Sequence, residues 1–407
     1  MQEETARAKW GFRWTPVRLV MLGIAVAAVS IIIVRLVLGL SVTNLNDQWP
    51  WGFWITFDVF LGVALAGGGY STAFIVYIMR TDRYQSIARS AMLTSLLGYI
   101  MVVVGLFLDV GQWHQAYMPM ISWGHHSVLF EVFICVSLYL IIQILEFGHI
   151  ATEKMFKKRH GIFVKIFPVL LIVGIMLPTL HQSSLGELFI VMPGKVHSLW
   201  YSPIMFLFFL LTSFAVGPAM IALEARLAGR GLNHKVDMKV LNGLIKISGV
   251  ILSLYFVLKL VDLLLVRDQG VALTAGTLES NLFLLELLAG VLVPIVLAFS
   301  KATSTNAGQL WFGWLVVGGV VLNRFNVTTT SLSGYMNEIA PGSSYFPAVT
   351  EIVVSMGLVC IACLLYLFVA ENFTIISKHK SAANEELGQK EIPVGGETAP
   401  GDRTIGA

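Results

Sequence analysis

The stretch VRLVMLGIAVAAVSIIIVRLVLGL, residues 17–40, decides the fold class. Its only charges are Arg18 and Arg35, and a helix needs roughly 20 mostly apolar residues to cross a bilayer core. Nine more stretches read the same way: Phe53–Met79, Ala91–Leu108, Ser127–Leu145, Ile166–Leu180, Pro203–Ala225, Val240–Val266, Asn281–Phe299, Leu310–Leu322 and Pro347–Ala370. The fifth and ninth of the ten are short and stop at polar pairs, His181-Gln182 and Asn323-Arg324. A membrane β-barrel would show short alternating segments, and runs such as Val250–Leu258 do not alternate. The chain reads as an all-α membrane protein with ten spans.

Composition agrees. Of 407 residues, 56% are hydrophobic and 13% charged, with a mean hydropathy of +0.78. A soluble chain carries about 25% charged residues, so a soluble multidomain enzyme is excluded. The net charge of +3 gives no case for nucleic acid. Three cysteines exclude a disulfide scaffold and a four-thiolate zinc or iron–sulfur site, and no other metal site is expected.

Lys and Arg favour the cytoplasmic flank of a span. They cluster at the N-terminus (Arg7, Lys9, Arg13, Arg18) and in the second connection (Arg80, Arg83, Arg89). The fourth connection (Lys154, Lys157, Lys158, Arg159, Lys165) and the sixth (Arg226, Arg230, Lys235, Lys239) follow suit. Lys301 marks the eighth, and Lys378 and Lys380 the tail. Both termini are therefore expected in the cytoplasm, with the odd-numbered connections outside. Residues 1–16 form a short cytoplasmic segment, 17–372 the membrane domain, and 373–407 a polar tail expected to be disordered. The first apolar run continues through Ile31–Leu40, longer than the core of a signal peptide.

The outward connections carry Trp51, Trp113, Trp123, Trp200 and Tyr201, as an interfacial aromatic belt would. They also carry His114, His125, His126 and His197, which a belt does not explain. Loops of this length suit docking of another protein.

Ionisable groups in hydrocarbon are costly and need a reason. Asp58, Asp109, Glu131, His181, Lys259, Asp262, Glu286, Arg324, Glu351 and Arg35 all fall in the outer half of their spans. Lys246, Glu146 and Glu224 lie toward the cytoplasm. Pairing would neutralise Lys259 with Asp262, and Arg35 or Arg324 with a nearby carboxylate. The acids still outnumber the bases, and surplus carboxylates beside a histidine suit proton uptake and release. Leu129-Phe130-Glu131 in span four resembles Leu284-Leu285-Glu286 in span eight. That match suggests two related four-helix bundles, spans two to five and six to nine.

Two motifs are set aside. Cys360 and Cys363 have redox spacing but sit in an apolar span without the electropositive surroundings a reactive thiol needs. Gly67-Gly68-Gly69 allows close helix approach and lacks the strand–turn–helix setting of a phosphate loop. His126 and His181 lie at similar depth and are the candidate ligands for one outer haem. His149 and His160 lie at or beyond helix ends, so no inner pair completes a transmembrane haem wire.

Specific strings now carry a resemblance: Trp51-Gly52-Phe53-Trp54-Ile55-Thr56-Phe57-Asp58, Asp109-Val110-Gly111, and Ser127-Val128-Leu129-Phe130-Glu131. Closest are Leu177-Pro178-Thr179-Leu180-His181-Gln182-Ser183-Ser184-Leu185-Gly186 and Lys195-Val196-His197, followed by Leu199-Trp200. Tyr345-Phe346-Pro347 before Glu351 matches the entry to span ten. From span one through span ten, the chain resembles the HybB-like membrane subunits of periplasm-facing nickel–iron hydrogenases. These belong to the NrfD/polysulfide-reductase membrane-subunit superfamily.

The resemblance implies a non-autonomous oxidoreductase subunit in a bacterial inner membrane, with no haem, flavin or metal of its own. It implies electron exchange between a quinone, menaquinone by preference, and a periplasmic iron–sulfur partner, with a catalytic subunit or cytochrome beyond. Carried over by position, Asp58, Asp109, Glu131, His181 and Gln182 belong to the quinone region. Glu131, Asp109 and His181 handle protons and the quinone carbonyl. Gln112 departs from the pattern, which has Arg after Asp-x-Gly, and this leaves Asp109 without its usual partner. Competing classes are a secondary transporter and a haem-bearing cytochrome b-like subunit.

Overall fold

A computed structural model describes residues 11–78, 84–124, 126–154, 157–232, 237–342 and 344–373. Arg7, Lys9, Arg80, Arg83, His125, Lys235 and the expected disordered tail beyond residue 373 lie outside them. All regular structure among the described residues is helical, with ten helices long and apolar enough to cross a membrane. They are α1 Pro16–Val42, α2 Ile55–Val76, α3 Ile87–Asp109, α4 Val128–His149, α5 Gly161–Ile190, α6 Met205–Gly231, α7 Met238–Val266, α8 Leu278–Phe299, α9 Asn306–Ile339 and α10 Val349–Asn372.

Helix is the form these apolar runs must take, because only a helix satisfies its own backbone groups in hydrocarbon. The starts are set locally by side chains that cap free N–H groups. Thr15 accepts from the Arg18 amide (3.4 Å) just before Pro16, whose missing N–H costs nothing there. Asp237, Thr277 and Thr305 cap α7, α8 and α9 in the same way.

Two expected boundaries are corrected. Span five does not stop at His181-Gln182; α5 runs on to Ile190. Span nine does not stop at Asn323-Arg324; α9 continues through a π-helical turn, Asn326–Thr330, to Ile339. Hydropathy ends at the polar pairs, but the helices do not. These side chains are buried inside the protein, so they do not face lipid. Ser333, expected in an outward loop, is thus helical, and its hydroxyl donates to the Thr330 carbonyl (2.7 Å).

Helices α2, α3, α4 and α5 pack as neighbours in a closed set, and α6, α7, α8 and α9 form a second. The sets meet where α2 packs on α6 and α9, and where α5 packs on α6. Small residues allow these approaches. A Cβ at Gly217 would meet Ser71 Oγ and the Gly67 backbone, and one at Gly290 would strike the Gly319 backbone at 2.5 Å. Outside both sets, α1 lies along α10. Their ends are clasped by the Arg18–Glu371 ion pair (2.7 Å) and by bonds between Gly11 and Asn372.

Trp51, Trp113 and Trp200 mark one end of the molecule, called here the tryptophan end. The connection into α6 is fixed there: the His197 amide donates to the Ser331 carbonyl (3.0 Å) of α9. Burial holds the His197 imidazole below its usual pKa, partly offset by Glu279, so it is neutral at pH 7. Sidedness is open to a direct test. In a background lacking the native cysteines, single cysteines at the exposed positions Gln115, Val191 and Asn337 should react with an impermeant thiol reagent added to intact cells. One at Lys301 should react only after permeabilisation. Labelling of position 301 from outside would reverse the orientation.

Candidate functional site

The polar residues of the tryptophan end and of the bundle interior gather in three places. The first lies where α1, α2, α3 and α10 meet. Asp58 sits in a π-helical turn at the start of α2, buried, and accepts from Ser355 Oγ (2.6 Å). Such a turn widens the helix and is frequent where a helix carries a functional side chain. Gly105 of α3 lies against it; a Cβ there would clash with the Asp58 side chain. One turn along α3, Asp109 has a buried carboxylate oxygen, Oδ1, with no hydrogen-bond partner.

Arg35 comes to this place from α1, wholly buried. It was expected to pair with a carboxylate. Instead its guanidinium donates to the backbone carbonyls of Leu108 (2.8 Å) and Val110 (2.6 Å), which flank Asp109. The carbonyls at the end of α3 have no helical partners and carry its negative dipole end, so a cation is well placed there. Arg35 is the nearby cation that Gln112 does not supply, since Gln112 itself is exposed. Glu351 completes the group, accepting from the Ala348 amide (2.6 Å) and the Tyr345 hydroxyl (3.1 Å).

The second place lies within α3, α4 and α5. His181 is fully buried and both ring nitrogens are engaged: Nε2 with the Tyr99 hydroxyl (2.6 Å) and Nδ1 with the Leu177 carbonyl (3.0 Å). Tyr99 packs edge-on to Tyr139 at 4.5 Å between centroids. Tyr139 lies 3.4 Å from Ser95 Oγ, which accepts from Gln143 Nε2 (2.5 Å). Tyr139 and Gln143 also line a cavity of about 10 Å³ with Tyr70 and Glu146. A polar column thus runs from His181 toward Glu146, away from the tryptophan end. Lys246, which also lies toward the cytoplasmic end of its span, is exposed and takes no part.

Gln182, next to His181, is fully buried, and neither its amide nitrogen nor its oxygen has a partner. Glu131 departs from expectation. The resemblance places it with His181 in the quinone region, yet it stands exposed on the outside of α4. Its Oε1 accepts from Ser184 Oγ (2.6 Å), and Ser184 follows His181 by one helical turn of α5.

The third place lies within α6 to α9. The expected Lys259–Asp262 pair does not form. Asp262 instead binds Arg267 (2.9 Å) and Ser202 (3.0 Å). Arg324 also has no carboxylate; it donates to Asn323 (2.6 Å) and Thr212 (2.9 Å) and lies 3.7 Å over the Phe209 ring.

Sequence reasoning singled out Asp58, Asp109, Glu131, His181 and Gln182. The structure groups Asp58 with Asp109, and Glu131, through Ser184, with the stretch of α5 that holds His181 and Gln182. It adds Tyr99, Tyr139, Ser95, Gln143 and Ser355. The signal for four of these was present: Ser95 and Tyr99, like Tyr139 and Gln143, are polar residues spaced i, i+4 on one face of an apolar helix.

Fold and site define a polytopic helical membrane subunit with polar groups buried toward one end and no binding chamber of its own large enough for a soluble substrate among the described cavities. The chain belongs to the NrfD family: the profile "Polysulphide reductase, NrfD" matches residues 41–333. Among its relatives is a protein of Nitratidesulfovibrio vulgaris, 35% identical over 90% of this chain and 95% of that one. The probable Ni/Fe-hydrogenase 2 b-type cytochrome subunit of Escherichia coli is 32% identical over 84% of this chain and 88% of its own length. The menaquinone reductase integral membrane subunit of N. vulgaris is 27% identical, covering 80% and 83%. Such family membership links the chain to membrane quinone oxidoreductase complexes.

Proposed function

We propose that this chain is the quinone-reactive subunit of a respiratory oxidoreductase, and that it exchanges electrons between menaquinone and an iron–sulfur partner docked outside the membrane. The carrying observation is the link from an exposed carboxylate to a buried histidine. Glu131 is open to the bilayer side, Ser184 holds it (2.6 Å), and one turn away His181 is bonded to Tyr99 (2.6 Å). A quinone headgroup arriving from the lipid meets Glu131 first.

The residues fit such a ligand. An unpaired buried amide costs about 1–3 kcal/mol, and Gln182 bears two unpaired polar atoms. A headgroup carbonyl would accept from its Nε2. Quinone reduction takes up two electrons and two protons. The electrons come from the iron–sulfur partner, while Glu131 and Asp109 pass protons and His181, held by Tyr99 (2.6 Å) and the Leu177 carbonyl (3.0 Å), fixes the stretch of α5 that presents the Gln182 amide to the quinone carbonyl. The column of Tyr99, Tyr139, Ser95 and Gln143 toward Glu146 offers protons a route from the cytoplasm. The exposed aromatic connection of Trp113, Tyr117 and Trp123 suits docking of the partner.

Haem does not fit. Both nitrogens of His181 are engaged, and His126, the other candidate ligand, sits exposed in a connection outside the helices. The reading therefore departs from the words "b-type cytochrome" in the E. coli relative's name. The purified complex should show no Soret band assignable to this chain, should retain an iron–sulfur protein, and should reduce or oxidise a menaquinone analogue. His181→Ala should raise the quinone KM about tenfold while leaving the complex assembled. Stoichiometric haem lost in His181→Ala, or a complex with no quinone activity, would overturn the reading.

A further inference from the structure

The two helix sets carry related arrangements with different chemistry. Glu131 of α4 accepts from Ser184 of α5, and Glu286 of α8 accepts from Asn326 of α9 (2.9 Å). Ser184 follows His181-Gln182 as Asn326 follows Asn323-Arg324. The first carboxylate is exposed and the second buried. Glu286 is saturated by neutral donors: Asn323 Nδ2 (2.7 Å), Asn326 Nδ2 (2.9 Å) and Trp200 Nε1 (3.0 Å). It takes no direct bond from either cation of this region.

Those cations face a cavity instead. It is lined by Met205, Phe208, Phe209, Tyr255, Lys259, Asn323, Arg324 and Val327, and gives about 10 Å³ of room for the centre of a water-sized occupant. Lys259 is 2% exposed, and among the described residues its Nζ has no hydrogen-bond or ion-pair partner; it lies over the rings of Phe208 (4.7 Å) and Phe283 (5.6 Å). Arg324 is fully buried, and its Nε–H has no partner. Among the described residues the Tyr255 hydroxyl has no hydrogen-bond partner either, and Tyr255 is 2% exposed.

The cavity wall is thus rich in donors and poor in acceptors. Asn323 Oδ1 is already taken by Arg324 Nη1 (2.6 Å). Charge points the same way. Asp262 is neutralised by Arg267 (2.8 Å), which leaves Lys259 and Arg324 against Glu286 alone. A water molecule accepts two hydrogen bonds and must also donate two, for which this wall offers little. An anion accepts from every side and offsets the excess positive charge. The room is on the scale of one small occupant, a water or an ion of similar size.

We propose that this cavity is a binding site for a small monovalent inorganic anion, chloride in the cell, held by Lys259 Nζ, Arg324 Nε–H and the Tyr255 hydroxyl. The site is independent of the quinone reading, since none of its residues belongs to the Glu131–His181 group. Equilibrium dialysis of the purified complex with radiolabelled chloride should show about one chloride bound per copy of this chain. Lys259→Met should abolish that chloride, and Tyr255→Phe should weaken it about tenfold, the scale of one lost hydrogen bond to a charge. Replacing chloride by gluconate, too large for the cavity, should lower the melting temperature of the wild type and leave that of Lys259→Met unchanged. If Lys259→Met does not assemble, Tyr255→Phe carries the comparison. No retained chloride in the wild type, the result for a cavity holding water only, would overturn the proposal. So would retention undiminished in the variants.

Discussion

Glu131→Gln should slow quinone-linked turnover tenfold or more per assembled complex, up to the about 10²–10⁴-fold scale of a lost acid–base group, and leave assembly intact. Gln keeps the oxygen that accepts from Ser184 (2.6 Å) and removes only the proton that titrates. Because Glu131 is exposed on α4, its substitution leaves no hole and no buried charge, so a structural defect is not expected. Its exposure also excludes the alternative weighed from sequence, that it merely neutralises Arg35 or Arg324, both of which are fully buried with other partners. Ser184→Ala should reproduce part of the slowing by freeing the carboxylate. Turnover measured against the amount of assembled complex tests this, and normal turnover in Glu131→Gln would remove the residue from the proton path.

Arg35→Met should give the largest loss of stability of any single change at the tryptophan end, about 3–5 kcal/mol, the usual cost of breaking a buried charge arrangement on one side. Two bonds to the carbonyls of Leu108 and Val110 disappear, and Asp109 loses the cation whose charge acts on it. The expected observation is a sharply reduced yield of complex and a lower melting temperature in detergent. Asp109→Asn in the same chain should restore part of it, because the carboxylate left without its cation is then neutral; coupled sites of this kind are non-additive by 0.5–3 kcal/mol or so. Equal losses in the single and double variants would show that Arg35 serves only the end of α3.

Lys246 and Glu146 illustrate how legible the site was. Both sit near the same end of their spans in sequence, yet Glu146 borders the polar column and Lys246 faces outward. Hydropathy gives the depth of a residue but not its azimuth. A helix that is apolar on nearly every side leaves its rotation almost unmarked, and α10 is of that kind. The pairs that matter are also distant in the chain: Tyr99 with His181, Asp58 with Ser355, Arg35 with Leu108. Lys259 and Asp262, close in the chain, fail to pair because a π-helical turn, Val261–Val266, begins between them and directs Asp262 toward Arg267.

The amino-acid sequence by itself determined that the chain is all-α, that it crosses a membrane ten times, and which strings tie it to the NrfD family. Those properties rest on summed apolar transfer and on contiguous residues, which need no partner to be read. Only the tertiary structure decided that α5 and α9 continue past their polar pairs, that Glu131 is exposed, and that two buried cations share a cavity. Each of these depends on what a neighbouring helix offers. A polar side chain ends a span if it meets lipid and extends it if it meets a donor or acceptor, and that choice belongs to the packing.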